Sequence, residues 1–379
     1  MIMKIIHVID SMSTACGGPA RTTLLTVRGA NLSGMDTQVL ANETLPGEER
    51  VSSEPFIRFL PSSRVKEKCW GYSSAFPKAL ADTPVADVYH IQGLWLYSGY
   101  ITAKFAREKR RPYLVTLHGA LYPEALSHSP FIKKTALFLF QRRQLQQAAC
   151  IHTTCMEEME HYRSLGFTNP VAVLPCPMEC PEKMPSMYQD GMKRIGYLGR
   201  VHPRKRVERL IGIWHRLNEP GDLLIMGDGD PVYMQFLKKE VDRLKLKRVC
   251  FTGFVTGVKK SRLLASLTCL VVPSDFENCG IITPEALLQE VPVIASTGSP
   301  WQELETHRCG WWVKNDIETL TDTVRKALSL DEATIREMGQ RGRQLILDKY
   351  SVDVVSGQMK ALYDWVAGKG EKPDFVFLK

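Results

Sequence analysis

The sequence contains no uninterrupted apolar stretch near the roughly 18 residues that a membrane-spanning helix needs. Its hydrophobic N-terminal stretch is interrupted by His7 and Asp10, which is typical of a first strand and not of a secretory signal. Charged residues make up 24% of the 379 positions, and neither they nor the 22 prolines depart from globular averages. Disordered, collagen-like and coiled-coil proteins are therefore excluded, and the length predicts about two to three domains.

The sequence also lacks the two cysteine pairs at short spacing that a structural metal site usually needs. Cys176 and Cys180 have three residues between them, but no second pair at ligand spacing accompanies them among the ten cysteines. A metal site there stays a minor alternative, and the cysteines indicate thiols in a reducing compartment, the cytoplasm. The net charge of +8 suits an anionic ligand or an anionic membrane surface and is too diffuse to require nucleic acid.

Short apolar runs rich in β-branched residues alternate with segments of helical period. This alternation predicts βαβ units and a parallel sheet in each half of the chain. The runs predicted as strands are 4–10, 56–61, 87–93, 112–119 and 171–175, and then 194–200, 222–229, 249–255, 267–274 and 291–296.

A proline-rich stretch separates the two halves. We predict an N-terminal domain over 1–178, a linker over 179–192 and a C-terminal domain over 193–351. An amphipathic helix within 352–379 packs on either domain. Open α/β sheets bind ligands at the carboxyl ends of their strands, so we expect the ligand in a cleft between the domains.

Adjacent glycines, Gly17 and Gly18, follow the first predicted strand. Such a pair lets the backbone approach a ligand closely, and the next helix offers N–H donors to an anion. An ordinary turn between strand and helix is an equally good interpretation. The pair is not G-x-G-x-x-G, which argues against an NAD-dependent oxidoreductase.

Four permanent cations lie within seven residues after the strand at 194–200: Arg200, Arg204, Lys205 and Arg206. The planar fork of arginine and the compact charge of lysine together suit a diphosphate. A solvated basic loop is the alternative interpretation. The position after a strand favours a ligand site.

The segment 273–286 follows another predicted strand and opens a helix. Glu277 precedes that helix and can project into a cleft. Backbone N–H groups that can face a phosphate follow it; they belong to Asn278, Cys279, Gly280 and Ile281.

Glu285 is expected in an early turn of the same helix, where its carboxylate can accept hydrogen bonds from sugar hydroxyls. Alternatively, Thr283 caps the helix and Pro284 is its first residue. In that case Glu285 only complements the helix dipole.

These motifs, in this order and spacing, resemble the retaining glycosyltransferases of family 4 over nearly the whole chain. The resemblance implies the GT-B fold, two Rossmann-like doubly wound domains that face a central cleft. It also implies a nucleotide-diphosphate sugar donor, most often a UDP- or GDP-sugar, and no metal cofactor. The ending over 292–313 is similar to members that build capsule, exopolysaccharide or lipopolysaccharide O-antigen in bacteria.

The resemblance also implies roles for single residues. Arg200 and Lys205 match the cations that hold the donor diphosphate, and Gly18 matches a loop glycine near the phosphates. Glu277 matches the acidic residue that contacts the donor sugar, and Glu285 matches the carboxylate that binds the ribose.

His118, at the end of a predicted strand, matches the histidine near the reacting sugar carbon. A lone histidine there is otherwise an ordinary hydrogen-bonded loop residue. We interpret His90 as structural and His7 as part of the core.

Two positions depart from the family pattern. Arg206 stands where the family usually has glycine, which adds charge near the phosphates. Cys279 stands where it usually has phenylalanine, which places a thiol where a ring would pack. Asp228 and Asp230 resemble a metal-binding D-x-D of transferases of another fold, and we interpret them as part of a turn near the nucleotide base.

The segment 131–145 mixes phenylalanine and leucine with lysine and arginine. It predicts either peripheral docking on an anionic membrane or an ordinary amphipathic helix with a wet basic face. A membrane role would suit an acceptor linked to undecaprenyl diphosphate. Trp95 and Tyr97 are further candidates for acceptor contacts, although core packing explains them as well.

The sequence therefore predicts a retaining glycosyltransferase that moves a sugar from a nucleotide-diphosphate donor to a glycan or lipid-linked glycan acceptor in bacterial surface polysaccharide synthesis. One alternative is a nucleotide-sugar 2-epimerase on the same fold. Another is a catalytically inactive module that binds glycan or scaffolds an assembly complex.

Overall fold

The computed structural model describes residues 2–61, 70–181 and 191–379. Residues 182–190, which make up most of the predicted linker, lie outside the described residues. None of the described helices is long and apolar enough to span a membrane.

The chain divides into two compact units. Unit 1 comprises Met1–Glu179 together with Tyr350–Lys379, and unit 2 comprises Cys180–Lys349. Each unit has its own β-sheet with helices around it.

Fourteen strands occur in the described residues. They are β1 (Lys4–Ser11), β2 (Asp36–Asn42), β3 (Ile57–Leu60), β4 (Val88–Gln92), β5 (Tyr113–Thr116), β6 (Cys150–Thr153), β7 (Val171–Val173), β8 (Arg194–Leu198), β9 (Asp222–Met226), β10 (Val249–Gly253), β11 (Cys269–Val272), β12 (Val293–Ser296), β13 (Gly310–Val313) and β14 (Val376–Phe377).

The sheet of unit 1 has the order β14-β7-β6-β5-β4-β1-β2-β3, and the sheet of unit 2 has the order β10-β9-β8-β11-β12-β13. All of these pairings are parallel except the antiparallel one between β14 and β7. Parallel strands are covered by helices on both faces, so they read as continuous apolar runs. This is why β4 and β11 are buried at every residue.

Helices connect the strands. They are α1 (Gly18–Leu32), α2 (Ala75–Asp82), α3 (Tyr97–Glu108), α4 (Pro123–Ser127), α5 (Pro130–Ala136), α6 (Arg142–Gln146), α7 (Met156–Ser164), α8 (Val207–Arg216), α9 (Pro231–Arg243), α10 (Gly257–Ala265), α11 (Ile282–Leu288), α12 (Glu303–Thr306), α13 (Ile317–Ser329), α14 (Glu332–Lys349) and α15 (Val352–Val366). One π-helical turn, Leu137–Gln141, joins α5 to α6.

Several of the described helices begin where a side chain accepts a backbone N–H of the first turn, as N-caps do. Asp230 caps α9, Asp316 caps α13, Asp331 caps α14 and Ser351 caps α15. The second carboxylate of the D-x-D sequence is therefore used as a helix cap.

Each predicted apolar run coincides with a strand. β1 extends one residue beyond its run, and the other strands are shorter than theirs. Four strands were missed: β2, β6, β13 and β14. Strands β2 and β6 carry polar side chains that are buried here, such as Thr37 and His152, and β14 is only two residues long. Such strands are difficult to predict from sequence because they contain polar residues, and the neighbouring elements decide whether a polar side chain is buried.

The C-terminal helix α15 packs against α1 within unit 1. The approach is close at Gly29, where an added Cβ would lie 1.8 Å from Ser356 Oγ. The Tyr363 hydroxyl of α15 reaches the sheet, at 2.9 Å from His7 Nε2 and 2.7 Å from His90 Nδ1. The interpretation of His7 as core is confirmed, since both histidines are fully buried.

Burial keeps these imidazoles neutral, because a buried cation without a partner is costly. It lowers the pKa of His7 to about 3 and that of His152 to about 4. The pKa of His90 is lowered well below its usual value by the same burial.

Acidification is therefore expected to destabilise the folded protein. Unfolded histidines titrate near 6.5, so the unfolded state binds more protons below that pH. The free energy of unfolding should fall as the pH drops from about 6.5 towards 4, by up to about 1.4 kcal/mol per pH unit for each such histidine. Urea denaturation at a series of pH values measures this slope.

A matched pair of variants identifies the groups responsible. His152→Gln should flatten the slope, although it is less stable than the parent at neutral pH. His215→Gln, at an exposed position of α8, should leave the slope as it is. Equal slopes in the parent and in His152→Gln would contradict the assignment.

Candidate active site

The basic loop that follows β8 is held in a defined backbone path. Tyr197, which is fully buried, donates its hydroxyl hydrogen to the backbone oxygen of Arg200 at 2.8 Å. An added Cβ at Gly227 would lie 1.8 Å from the backbone oxygen of Gly199, so the loop after β9 lies directly against this one. Only glycine permits this contact.

Lys205, in a single 3₁₀ turn after β8, forms an ion pair with Glu277, which follows β11. The two side chains are only 12% and 10% exposed. Burial lowers the pKa of Lys205, and the Glu277 carboxylate opposes that effect. The structure thus brings together two of the predicted site residues that lie 72 positions apart.

Further hydrogen bonds hold Glu277 in place. The Ser274 hydroxyl donates to its Oε1 at 2.8 Å, and its own backbone N–H donates to the Gly298 carbonyl at 2.7 Å. An added Cβ at Gly298 would lie 2.2 Å from the backbone oxygen of Asp275. The carboxylate therefore depends on a glycine that sequence reasoning did not single out.

Arg206 has a left-handed backbone, with φ of 52°, which glycine adopts most readily. Its Nε lies 2.5 Å from Asp275 Oδ2, and Arg209 and Asn315 also donate to that carboxylate. The Asp275 carboxylate therefore compensates part of the charge that Arg206 adds to this loop.

The loop before α11 turns at Gly280, whose φ is 60°. The Trp301 indole N–H donates to the carbonyl of Cys279 at 3.0 Å, and Trp301 is almost fully buried. Asn278 and Ile281, on either side, are half-buried. An indole from a later loop thus supports the backbone of this segment.

Glu285 lies in the first turn of α11, where its carboxylate forms an ion pair with Lys260 of α10 at 2.7 Å. The alternative in which Thr283 caps the helix is wrong. The helix begins at Ile282, and the buried Thr283 hydroxyl has no hydrogen-bond partner among the described residues. Lys260 gave no signal in the sequence, since a lysine on a helix is usually solvated.

In unit 1, Gly17 precedes α1 with φ of 64°, and Gly18 is the first residue of that helix. The glycine pair is therefore a turn between strand and helix, and Gly17 is exposed. A residue with a side chain would be strained at Gly17.

His118 follows β5, is half-buried and has a left-handed backbone, with φ of 50°. Its Nε2 lies 2.8 Å from Oε1 of Gln92, the last residue of β4. Burial lowers the pKa of His118 to about 3, so the imidazole is neutral. The next residue, Gly119, donates its N–H to the buried Glu158 carboxylate.

Trp95 and Tyr97 lie after β4, each half-buried against the core of unit 1. The Tyr97 ring contacts Tyr72 and Trp70, with centroids 4.8 and 5.7 Å apart. Trp70 and Tyr72 are 41% and 40% exposed, so the group offers an accessible aromatic face.

The segment 131–145 exposes large apolar side chains to a degree unusual for a soluble surface. Phe131 and Phe138 are 82% and 84% exposed, and Ile132 and Leu139 are 68% and 69% exposed. Patches of this kind commonly mark interaction sites.

No cluster of three or more histidine, cysteine, aspartate or glutamate side chains that could hold a metal ion occurs in the described ranges. Asp228 accepts a hydrogen bond from the Gly229 N–H, and Asp230 caps α9. Cys176 is buried and Cys180 is half-buried.

Two family models match the chain in succession. The model for a glycosyl transferase 4-like domain matches residues 17–177. The model for glycosyl transferases group 1 matches residues 192–329. The chain belongs to the GT-B glycosyltransferases of the family 4 type.

Individual glycosyltransferases resemble the chain in sequence or in fold. A GDP-mannose-dependent alpha-mannosyltransferase of Mycolicibacterium smegmatis is 30% identical over 185 residues, which is 48% of this chain and 45% of the relative. The match thus spans about half the length of that curated relative.

Two solved structures have the same fold. The sucrose-phosphate synthase of Thermosynechococcus elongatus superposes with a TM-score of 0.82 at 20% identity, covering 97% of this chain and 99% of the other. Anabaena Alr3699/HepE in complex with UDP-glucose superposes with a TM-score of 0.73 at 16% identity, covering 96% and 100%. The GT-B fold predicted from the sequence is confirmed.

The glycine that supports Glu277 can be tested by substitution. Gly298→Ala should lower the free energy of unfolding by about 1–3 kcal/mol, since the new methyl group meets a backbone oxygen that cannot move easily. Urea denaturation measures the loss.

Gly357→Ala is the matched control. Gly357 is an exposed position of α15 with no atom within 4 Å of an added Cβ, so alanine there should stabilise by about 0.5–1 kcal/mol. If Gly298→Ala is as stable as the parent, the glycine is not what positions the loop.

Proposed function

We propose that this glycosyltransferase is a retaining enzyme that transfers a sugar from a nucleotide-diphosphate donor to a glycan or lipid-linked glycan acceptor in bacterial surface polysaccharide synthesis. The observation that carries the proposal is the buried pair of Lys205 and Glu277 at the carboxyl ends of β8 and β11. Ligands of open α/β sheets bind at these ends.

The charges of unit 2 suit a departing diphosphate. Negative charge develops on the diphosphate as the bond to the sugar breaks, and fixed cations near that charge supply much of the catalysis in such sites. Lys205 is held in place by its carboxylate partner. Arg200 is exposed and forms no ion pair with a described residue, so its guanidinium remains available to an anion.

The two glutamates have separate proposed tasks. Glu277 orients the donor sugar, and Glu285 accepts hydrogen bonds from the ribose hydroxyls while Lys260 holds its other side. The backbone of Asn278, Cys279, Gly280 and Ile281 lines the donor beside them. Gly17 and Gly18 give the phosphates a close approach to backbone.

In the proposed reaction the transferred sugar retains the configuration of its anomeric carbon. The bond between the anomeric carbon and the diphosphate oxygen breaks, and the acceptor oxygen bonds to the same face of the sugar. A diphosphate oxygen takes the proton of the acceptor hydroxyl. We assign His118 to the reacting sugar and the aromatic face near Trp95 and Tyr97 to the acceptor.

Relatives support the donor class. One is named for its dependence on GDP-mannose, and a structural neighbour was solved with UDP-glucose. We therefore propose a UDP- or GDP-sugar donor. We also propose that no metal cofactor is needed, because Arg200, Lys205 and helix N-termini would meet the charge of the diphosphate. The pathway rests on the likeness of residues 292–313 to enzymes of capsule and O-antigen synthesis.

Nucleotide binding tests the proposal. UDP or GDP should stabilise the protein by about 2.7 kcal/mol at about one hundred times its dissociation constant. Lys205→Ala should weaken this binding by about tenfold or more, since a charge-assisted hydrogen bond contributes about 1.5–3 kcal/mol. Thermal shift and calorimetry measure both effects.

Lys259→Ala, an exposed lysine beside the one that pairs with Glu285, is the matched control and should bind as the parent does. Transfer assays with and without glycan acceptors separate the alternatives. A 2-epimerase would release an altered nucleotide sugar with no acceptor, and an inactive module would turn over no donor. A folded protein that binds no UDP-, GDP- or ADP-sugar would refute the proposal.

We also propose that the face formed by Phe131, Ile132, Phe138 and Leu139 docks on an anionic membrane. Lys133, Lys134, Arg142 and Arg143 belong to the same segment. Apolar side chains with basic neighbours are typical of helices that lie in the membrane interface. A lipid-linked acceptor would be reached from that surface.

The double variant Phe131→Ser with Phe138→Ser should bind vesicles of phosphatidylcholine and phosphatidylglycerol at least about tenfold more weakly, because each ring contributes about 1.5–3 kcal/mol when buried. Co-sedimentation measures binding. Phe254→Ser, which removes an equally exposed ring from unit 2, should change nothing. Equal binding of the parent to vesicles with and without the anionic lipid would contradict an electrostatic contribution of the basic residues to membrane docking.

A further inference from the structure

We infer that a one-directional chain of buried hydrogen bonds holds His118 in the tautomer protonated at Nε2, so that Nδ1 faces the reactants as a hydrogen-bond acceptor. The chain crosses the sheet of unit 1 and includes Tyr363 of the C-terminal helix. The inference deepens the proposed function and rests on it, because that function places His118 at the reacting sugar.

The chain begins at a backbone carbonyl. His152 Nε2 lies 3.0 Å from the oxygen of Leu174. His152 Nδ1 lies 2.9 Å from the Thr116 hydroxyl, and that hydroxyl lies 2.7 Å from His90 Nε2.

It continues through the C-terminal helix. His90 Nδ1 lies 2.7 Å from the Tyr363 hydroxyl, which lies 2.9 Å from His7 Nε2. His7 Nδ1 lies 3.0 Å from Gln92 Nε2, and Gln92 Oε1 lies 2.8 Å from His118 Nε2.

The Leu174 carbonyl sets the direction of the first half, because a carbonyl oxygen only accepts hydrogen bonds. His152 must therefore carry its proton on Nε2, and a neutral imidazole then accepts at Nδ1. The Thr116 hydroxyl has one hydrogen, which it donates to His152. Its oxygen is left to accept from His90 Nε2.

The hydrogen bonds of the second half run in the same direction. His90 accepts at Nδ1 from Tyr363, so the tyrosine oxygen accepts from His7 Nε2. His7 then accepts at Nδ1, which requires the NH₂ group of Gln92 at that position. The amide oxygen of Gln92 consequently accepts from His118 Nε2, and no other orientation of the amide satisfies both neighbours.

These hydrogen-bond directions hold for neutral imidazoles, and the surroundings of the histidines enforce neutrality. His7 and His90 are fully buried and His152 is 5% exposed. The partners in the chain are hydroxyl, amide and carbonyl groups, which carry no negative charge. Burial lowers the pKa of each of these histidines and raises the pKa of Tyr363, so the hydroxyl keeps its hydrogen.

His118 is the end of the chain. Its Nδ1 forms no hydrogen bond with a described residue, and the left-handed backbone at His118 is a strain that tends to persist at functional sites. An acceptor nitrogen there can bind a hydroxyl group of the sugar or of the acceptor. Gln92, Thr116 and Tyr363 are thus positioning residues that act through His118.

Nitrogen NMR of the ¹⁵N-histidine-labelled full chain tests the inference, because the chemical shifts of Nδ1 and Nε2 report which one is protonated. His7, His90, His118 and His152 should all be protonated at Nε2. Tyr363→Phe or Thr116→Val breaks the chain, so His118 should then show both tautomers. A parent protein with His118 protonated at Nδ1 would overturn the inference.

Two conservative variants serve as controls. Thr116→Ser keeps the hydroxyl and should keep the single tautomer. Tyr113→Phe removes another buried hydroxyl of unit 1, one that donates to the Gln144 carbonyl at 2.6 Å, and should also leave His118 unchanged. An unchanged tautomer in Tyr363→Phe, or a mixture in Tyr113→Phe, would likewise refute the chain.

Kinetics separate this inference from the proposed function. In the transfer assay, Tyr363→Phe and Thr116→Val should lower kcat by about tenfold with little change in KM for the donor, because the group at the reacting atoms is misoriented. If the parent shows the predicted tautomers but transfers no sugar, the chain stands and the function fails. If it transfers sugar with another tautomer, the chain fails and the function stands.

Discussion

The buried ion pair between Lys205 and Glu277 is the interaction on which the proposed chemistry depends. Two charges with little solvent exposure are stable only when each has partners that replace water. Glu277 has the lysine, the Ser274 hydroxyl and a backbone bond to Gly298. A cation fixed in this way needs little reorganisation when charge develops on a ligand, and such preorganisation is what makes electrostatic catalysis effective.

In the surrounding loops, too, polar groups are held by partners from other segments. Arg206 has Asp275, Glu285 has Lys260, and the carbonyl of Cys279 has the indole of Trp301. Each of these contacts joins segments that are far apart in sequence. Unit 2 therefore presents charged side chains from several strand ends, and their mutual pairing gives each one a defined position.

The chain of buried hydrogen bonds in unit 1 contains no charged group. Its histidines are neutral and linked by hydroxyl and amide groups, so that each donor has an acceptor. Because Tyr363 supplies one link, the C-terminal helix contributes to the environment of His118 although the two are 245 positions apart in the chain. The sequence predicts a structural role for His90, a core position for His7 and a functional role for His118, whereas the structure connects all three through hydrogen bonds.

The sequence by itself determined the fold class, because long alternation of apolar runs with helical period leaves few architectures other than paired parallel sheets. It also determined which strand ends carry glycines, cations and carboxylates, since those positions follow directly from the strands. Only the tertiary structure decided the partners. Contacts between distant segments decide which lysine pairs with Glu285 and that Asp275 compensates the charge of Arg206. They also decide that Thr283 does not cap its helix and that the Tyr363 hydroxyl reaches His7. Such contacts arise from packing, and the local pattern of a sequence does not encode packing position by position.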